Sequence, residues 1–202
     1  MSPTSPHPDP QESVQAQVEA LTAVAKKLSG EGKDAQALEA YKTAAGLMLG
    51  APWLQNRTAE LARKLKQPEV AALHYRRSAA AFIGAGFPRR ALAPLRTAWQ
   101  VAVALLPADT TTFLTVTSEL ANVQRELGLA ADAKLTIAGA NQALKGAGSA
   151  ERVPSGAELD RQPNRLPPER DSTHPPDSGV KPNGLGPDSA GLLERLRSAV
   201  KP

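Results

Sequence analysis

The chain has 202 residues, a net charge of +4 from 24 Lys and Arg against 20 Asp and Glu, and no Cys. That length leaves room for one folded domain of about 130–150 residues plus a tail, and the missing Cys excludes disulfides, thiol catalysis and Cys-ligated metal sites. Apolar residues make up 41% of the chain but aromatics only 3%, so helices packed through a thin, Ala-rich core are expected.

At the N-terminus, Pro3, Pro6, Pro8 and Pro10 crowd ten residues, which makes residues 1–11 a disordered arm by expectation. No basic segment followed by an apolar run stands there, and no stretch reaches the ~18 apolar residues of a membrane span, so a cytoplasmic protein is expected. Seven helices follow, at about residues 12–29, 34–49, 53–65, 68–84, 88–105, 109–127 and 129–145. Pro52, Pro68 and Pro88 fit first-turn positions, where a missing N–H costs nothing. Asp34 and Asp109 fit caps, and Gly32, Gly86 and Gly128 can take positive φ after a helix. Loops of two to five residues force neighbouring helices antiparallel. Pro94 falls inside the fifth helix and is expected to bend it.

One spacing organises this region. Gly32-Ala37-Tyr41-Ala44, Gly86-Ala91-Leu95-Ala98 and Gly128-Ala133-Ile137-Ala140 all read Gly-x4-Ala-x3-large-x2-small. The second helix of each hairpin thus presents a small, a large and another small residue on one face, so it can approach its neighbour closely. In the first hairpin Leu21, Val24, Ala25 and Leu28 face Ala37, Leu38, Tyr41, Ala44 and Ala45; in the next, Leu54, Leu61 and Leu65 face Ala71, Ala72 and Tyr75. Ala37 to Ala71 and Tyr41 to Tyr75 are 34-residue steps, a repeat period of helical hairpins, but Ala71 to Ala91 is only 20. Either the helix at 68–84 packs on both sides or the array shifts phase there.

On these residues the chain resembles the tetratricopeptide-repeat family: Leu21, Val24, Ala25, Leu28, Gly32, Ala37, Tyr41 and Ala44 match its hairpin in order, while the second repeat has Lys66 and Pro68 around the turn. The runs AELARKLKQPEVAALHYRRSAAAFIGAGFPRRALAPLRTAW and SELANVQRELGLAADA are similar to bacterial arrays of this family that often precede a cyclic-nucleotide-binding or other regulatory domain; no such domain is expected in the tail. The resemblance spans residues 14–145 and implies an all-α solenoid of stacked antiparallel hairpins at 12–147. It also implies a binding groove lined by first-type helices, the side on which Arg63 and Lys64 lie.

Charge is uneven. Residues 51–100 carry Arg57, Arg63, Lys64, Lys66, Arg76, Arg77, Arg89, Arg90 and Arg96 against Glu60 and Glu69, a local +7 in a chain of +4. Such a cluster attracts an acidic segment, a phosphorylated motif or nucleic acid, or merely solubilises an Ala-rich face. Arg63, Lys64, Arg76 and Arg77 are the candidate partner-binding residues.

The tail carries eight prolines between Gly146 and Ala190, so residues 148–187 read as a disordered linker. Residues 188–202 read as a short amphipathic helix, capped by Asp188 or Ser189, with Leu192, Leu193, Leu196 and Val200 as a docking face. His7, His74 and His174 have no metal-ligand spacing, and no phosphate loop or nucleophile–base pair is present. No cofactor or metal is expected. The reading is a non-catalytic adaptor that holds a peptide or helix, with an acidic partner favoured. The alternatives are a nucleic-acid-associated regulator using the basic patch and a structural protein that self-associates through its C-terminal helix.

Overall fold

The computed structural model describes residues 10–149 and Val153, and all of their regular structure is helical. Seven α-helices are present among them: α1 (Pro10–Gly30), α2 (Asp34–Leu47), α3 (Pro52–Lys64), α4 (Pro68–Gly84), α5 (Pro88–Val103), α6 (Thr110–Glu126) and α7 (Ala130–Gly146). The expected arm at 1–9, the linker beyond Val153 and the helix at 188–202 lie outside the described residues. At their edges, α1 starts at Pro10, and after α7 Gly148 and Ser149 hydrogen-bond back to it and Val153 is buried.

The chain divides into two compact units, one with α1 and α2 and one with α3 to α7. In the first, α1 and α2 pack as an antiparallel hairpin. Leu21, Ala25 and Leu28 of α1 and Ala37, Leu38, Tyr41, Ala44 and Ala45 of α2 are all buried, the seam expected from the spacing except for Val24, which is half-buried.

In the second unit each helix packs on the next, α3 on α4, α4 on α5, α5 on α6 and α6 on α7. Helix α4 therefore packs on both sides, which accounts for the 20-residue interval. It serves as second helix to α3 through Ala71, Ala72 and Tyr75, and joins α5 and α6 through Ala79 in a cluster with Ala91, Leu95, Leu120 and Val123. So many seam positions are Ala that each contributes little buried area, about one methyl's worth. What Ala provides is close approach of the backbones, and that proximity lets short polar side chains bridge helices. His74 Nδ1 meets Gln55 Oε1 at 2.8 Å between α4 and α3, Trp99 Nε1 donates to Thr117 Oγ1 at 3.0 Å between α5 and α6, and Thr136 Oγ1 donates to Gln124 Oε1 at 2.9 Å between α7 and α6.

The turns repeat as closely as the seams. Gly32, Gly86 and Gly128 have φ of 75°, 84° and 76°, and Lys66 takes the same left-handed conformation with φ 57°. At each, the N–H of the left-handed residue donates to the carbonyl three residues back and the following N–H to the carbonyl five back, as in Gly86 N to Ile83 O and Phe87 N to Phe82 O at 2.9 and 2.8 Å. This is the Schellman ending of a helix. The degenerate second repeat thus keeps the turn and loses only the glycine.

Pro52, Pro68 and Pro88 occupy helix starts as expected. Asp109 caps α6, its carboxylate accepting from Thr112 N at 2.9 Å. Asp34 does not cap: it is the first residue of α2, after Lys33, and its carboxylate accepts from Ser29 Oγ at 3.0 Å. Pro94 is buried inside α5, which continues through it. The connection from α5 to α6 takes six residues, 104–109, longer than the expected two to five, and contains a cis Leu106–Pro107 bond.

Candidate functional site

The cations of residues 51–100 are distributed along helices α3, α4 and α5 and the turn after α3. Arg63 and Lys64 end α3, and Lys66 follows in the turn; all three are exposed. Arg76 and Arg77 lie eight and nine residues beyond Pro68, so roughly 12–14 Å along α4 from its start at 1.5 Å per residue. The four candidate residues therefore fall in two groups at different heights of the α3–α4 hairpin.

Several cations already have partners. Arg76 reaches from α4 to α6, where its guanidinium donates through Nε (2.8 Å) and Nη2 to the two carboxylate oxygens of Glu119. That bidentate bond is the main reason its ionisation is pushed further up, against the opposing effect of burial. Arg76 is thus a brace between helices. Arg57 pairs with Glu60 at 3.1 Å, Arg96 with Asp132 of α7 at 3.6 Å, and the Arg90 guanidinium lies 4.9 Å from the centre of the Phe87 ring. Arg77 and Arg89 are exposed.

Beside the cations stand apolar side chains that are not buried. Trp53, on the first turn of α3, is 52% exposed, and Leu73 of α4 is 40% exposed. The cross-helix contacts fix their relative height. Gln55 meets His74, and Ser78 Oγ donates to Pro52 O at 3.1 Å, so Trp53 stands level with Arg76 and Arg77, while Leu73 is one turn from Arg77 on the exposed stripe Glu69–Leu73–Arg77–Ala80. Trp53 and Leu73 were missed in the sequence because both sit among apolar neighbours. The signal was angular: Trp53 lies one helical step off the stripe of Leu54, Thr58 and Leu61, all buried.

Burial pushes the ionisation of the Tyr75 phenol up, the Arg63 cation opposes that shift, and Glu60 adds to it. Leu192, Leu193, Leu196 and Val200 lie outside the described residues.

No helix among the described residues is long and apolar enough to cross a membrane, and none of their His, Asp or Glu side chains form a group of three that could hold a metal ion. Compared with known proteins, the chain matches no family model, no curated protein and no solved structure. The all-α class accordingly rests on the helices themselves.

Proposed function

We propose that the chain is a non-catalytic adaptor of tetratricopeptide type, which holds an acidic peptide or helix against the α3–α4 hairpin. The observation that carries this reading is the exposed Trp53 at the height of Arg77, with Leu73 one turn away and Arg63, Lys64 and Lys66 at the far end of the same hairpin. A half-exposed Trp leaves a large apolar surface in water, and Trp and Arg are the side chains that dominate binding energy at protein interfaces. Cations at both ends favour an acidic ligand lying along the hairpin and speed its encounter. The C-terminal docking helix with Leu192, Leu193, Leu196 and Val200 supplies a second attachment in the same proposal, and tethering two sites raises their effective concentration.

The test is capture of a partner from native lysate by the full chain, followed by titration with the captured partner. The double variant Arg63→Glu with Lys64→Glu, and separately Trp53→Ala, should each weaken binding at least about tenfold with helicity unchanged, as expected for an interface anchor. Arg76→Ala should instead lower stability by about 1 kcal/mol, since it removes a half-exposed bidentate pair, and leave capture intact. Unchanged binding in both the charge-reversed and the Trp53 variants would sink the reading.

A further inference from the structure

Five helices end in the Schellman geometry, and only four of them are followed by a described helix. After α7, Gly148 has φ 73°, its N–H donates to Lys145 O at 3.1 Å, and Ser149 N donates to Leu144 O at 3.0 Å. This matches the turns at Gly32, Lys66, Gly86 and Gly128. Five residues beyond each of those four stands a seam residue, Ala37, Ala71, Ala91 and Ala133, with 0%, 0%, 0% and 1% of its surface exposed. Five residues beyond Gly148 stands Val153, 2% exposed. Val153 is therefore buried at the position where the repeat buries its seam residue.

It is held there by a different bond. The Val153 N–H donates to Asn141 Oδ1, on α7 twelve residues earlier, at 2.8 Å. At three of the other turns the residue in this position gives its N–H to the backbone carbonyl four residues back, Ala37 to Lys33 O, Ala71 to Gln67 O and Ala133 to Leu129 O. Pro154 follows at once, and a proline disfavours helical backbone in the residue before it. A side-chain amide that binds a main-chain N–H, beside a place that buries a branched apolar side chain, is the equipment for gripping an extended segment.

We propose that α7 carries a docking site for an extended Val-Pro segment, built around Asn141, and that the chain's own Val153 fills it in cis. The site stands apart from the α3–α4 surface and does not depend on the adaptor reading. Because the occupant is a short stretch of the same chain, it competes with any external segment of like chemistry, and its release opens the face.

The test is hydrogen exchange on the full chain with and without the synthetic peptide acetyl-Ser-Ala-Glu-Arg-Val-Pro-Ser-Gly-amide. In Val153→Asp the amides in the second half of α7 should exchange about tenfold faster than in the unaltered chain, because their cover is lost while the other helices keep theirs. The peptide, at millimolar concentration, should restore that protection in the variant and leave the unaltered chain unchanged; the same peptide with Asp in place of Val should do neither. Asn141→Ala, which removes one hydrogen bond and no apolar surface, should speed the same amides about fivefold, and it decides the matter if Val153→Asp unfolds. Unchanged exchange in α7 overturns the proposal. So does loss of protection that the peptide cannot restore, since the contact would then be packing peculiar to the continuous chain.

Discussion

Single residues at the helix ends carry more of this fold than their exposure suggests. Asp109 is the one N-cap among α2 to α7 whose side chain binds the helix, and its hydrogen bonds from Thr112 hold its carboxyl below the ordinary value of 3.8. A carboxyl depressed by folding adds stability that is fully present above its unfolded value and is lost as the pH falls through the lower folded value. Asp109→Ala should therefore cost about 1 kcal/mol at neutral pH, and the gap between variant and unaltered chain should narrow below pH 3.8. Urea denaturation at pH 7 and pH 3 checks both halves. A gap that is constant with pH would mean that the cap acts through the neutral acid as strongly as through the carboxylate.

At the scale of elements, the left-handed turn closes hairpin after hairpin, and its residue can be exchanged in both directions. Lys66 adopts φ 57° with a Cβ, at a cost of roughly 1 kcal/mol for an L-residue, whereas Gly128 adopts φ 76° without one. A Cβ at Gly128 meets nothing within 4 Å, so the penalty there is one of backbone alone. Lys66→Gly should stabilise the chain by about 1 kcal/mol and Gly128→Ala should destabilise it by a similar amount; equal signs for the two substitutions, read by thermal melting, would refute the shared-turn account. The helices were legible in the sequence because Pro at their starts and Gly after their ends are local devices, read without knowing any neighbour. Asp34 misled because Ser29, from the preceding helix, takes its carboxylate. Arg76 misled because its partner Glu119 lies 43 residues away; charge composition in a window cannot see a pair that only the packing of α4 and α6 creates. Val153 was hidden for a related reason. The spacing from Gly148 was there to count, but the prolines around it made the whole segment read as linker.

Across the whole molecule, the +7 of residues 51–100 is less concentrated than the sequence implies, since Arg76 and Arg96 are paired with Glu119 and Asp132, carboxylates from outside that stretch. The remaining positive charge is spread along α3, α4 and α5. The chain should accordingly show no tight binding to a generic 20-base-pair duplex at about 0.15 M salt, and at low salt the slope of log affinity against log salt should stay shallower than about −3. A slope near −6 or steeper would return nucleic acid to the front. The two tryptophans of the chain divide the molecule optically. Trp53 stands in water on α3, while Trp99 is half-buried, donates to Thr117 and has the Phe113 ring 5.9 Å away. Their emission should thus be two bands, a red one that iodide quenches and a bluer one that it spares. A ligand on the α3–α4 hairpin moves the first alone, and opening of the α5–α6 contact moves the second alone. Trp53→Phe and Trp99→Phe would each leave a chain with a single built-in dye, so binding and packing can be followed separately without any label.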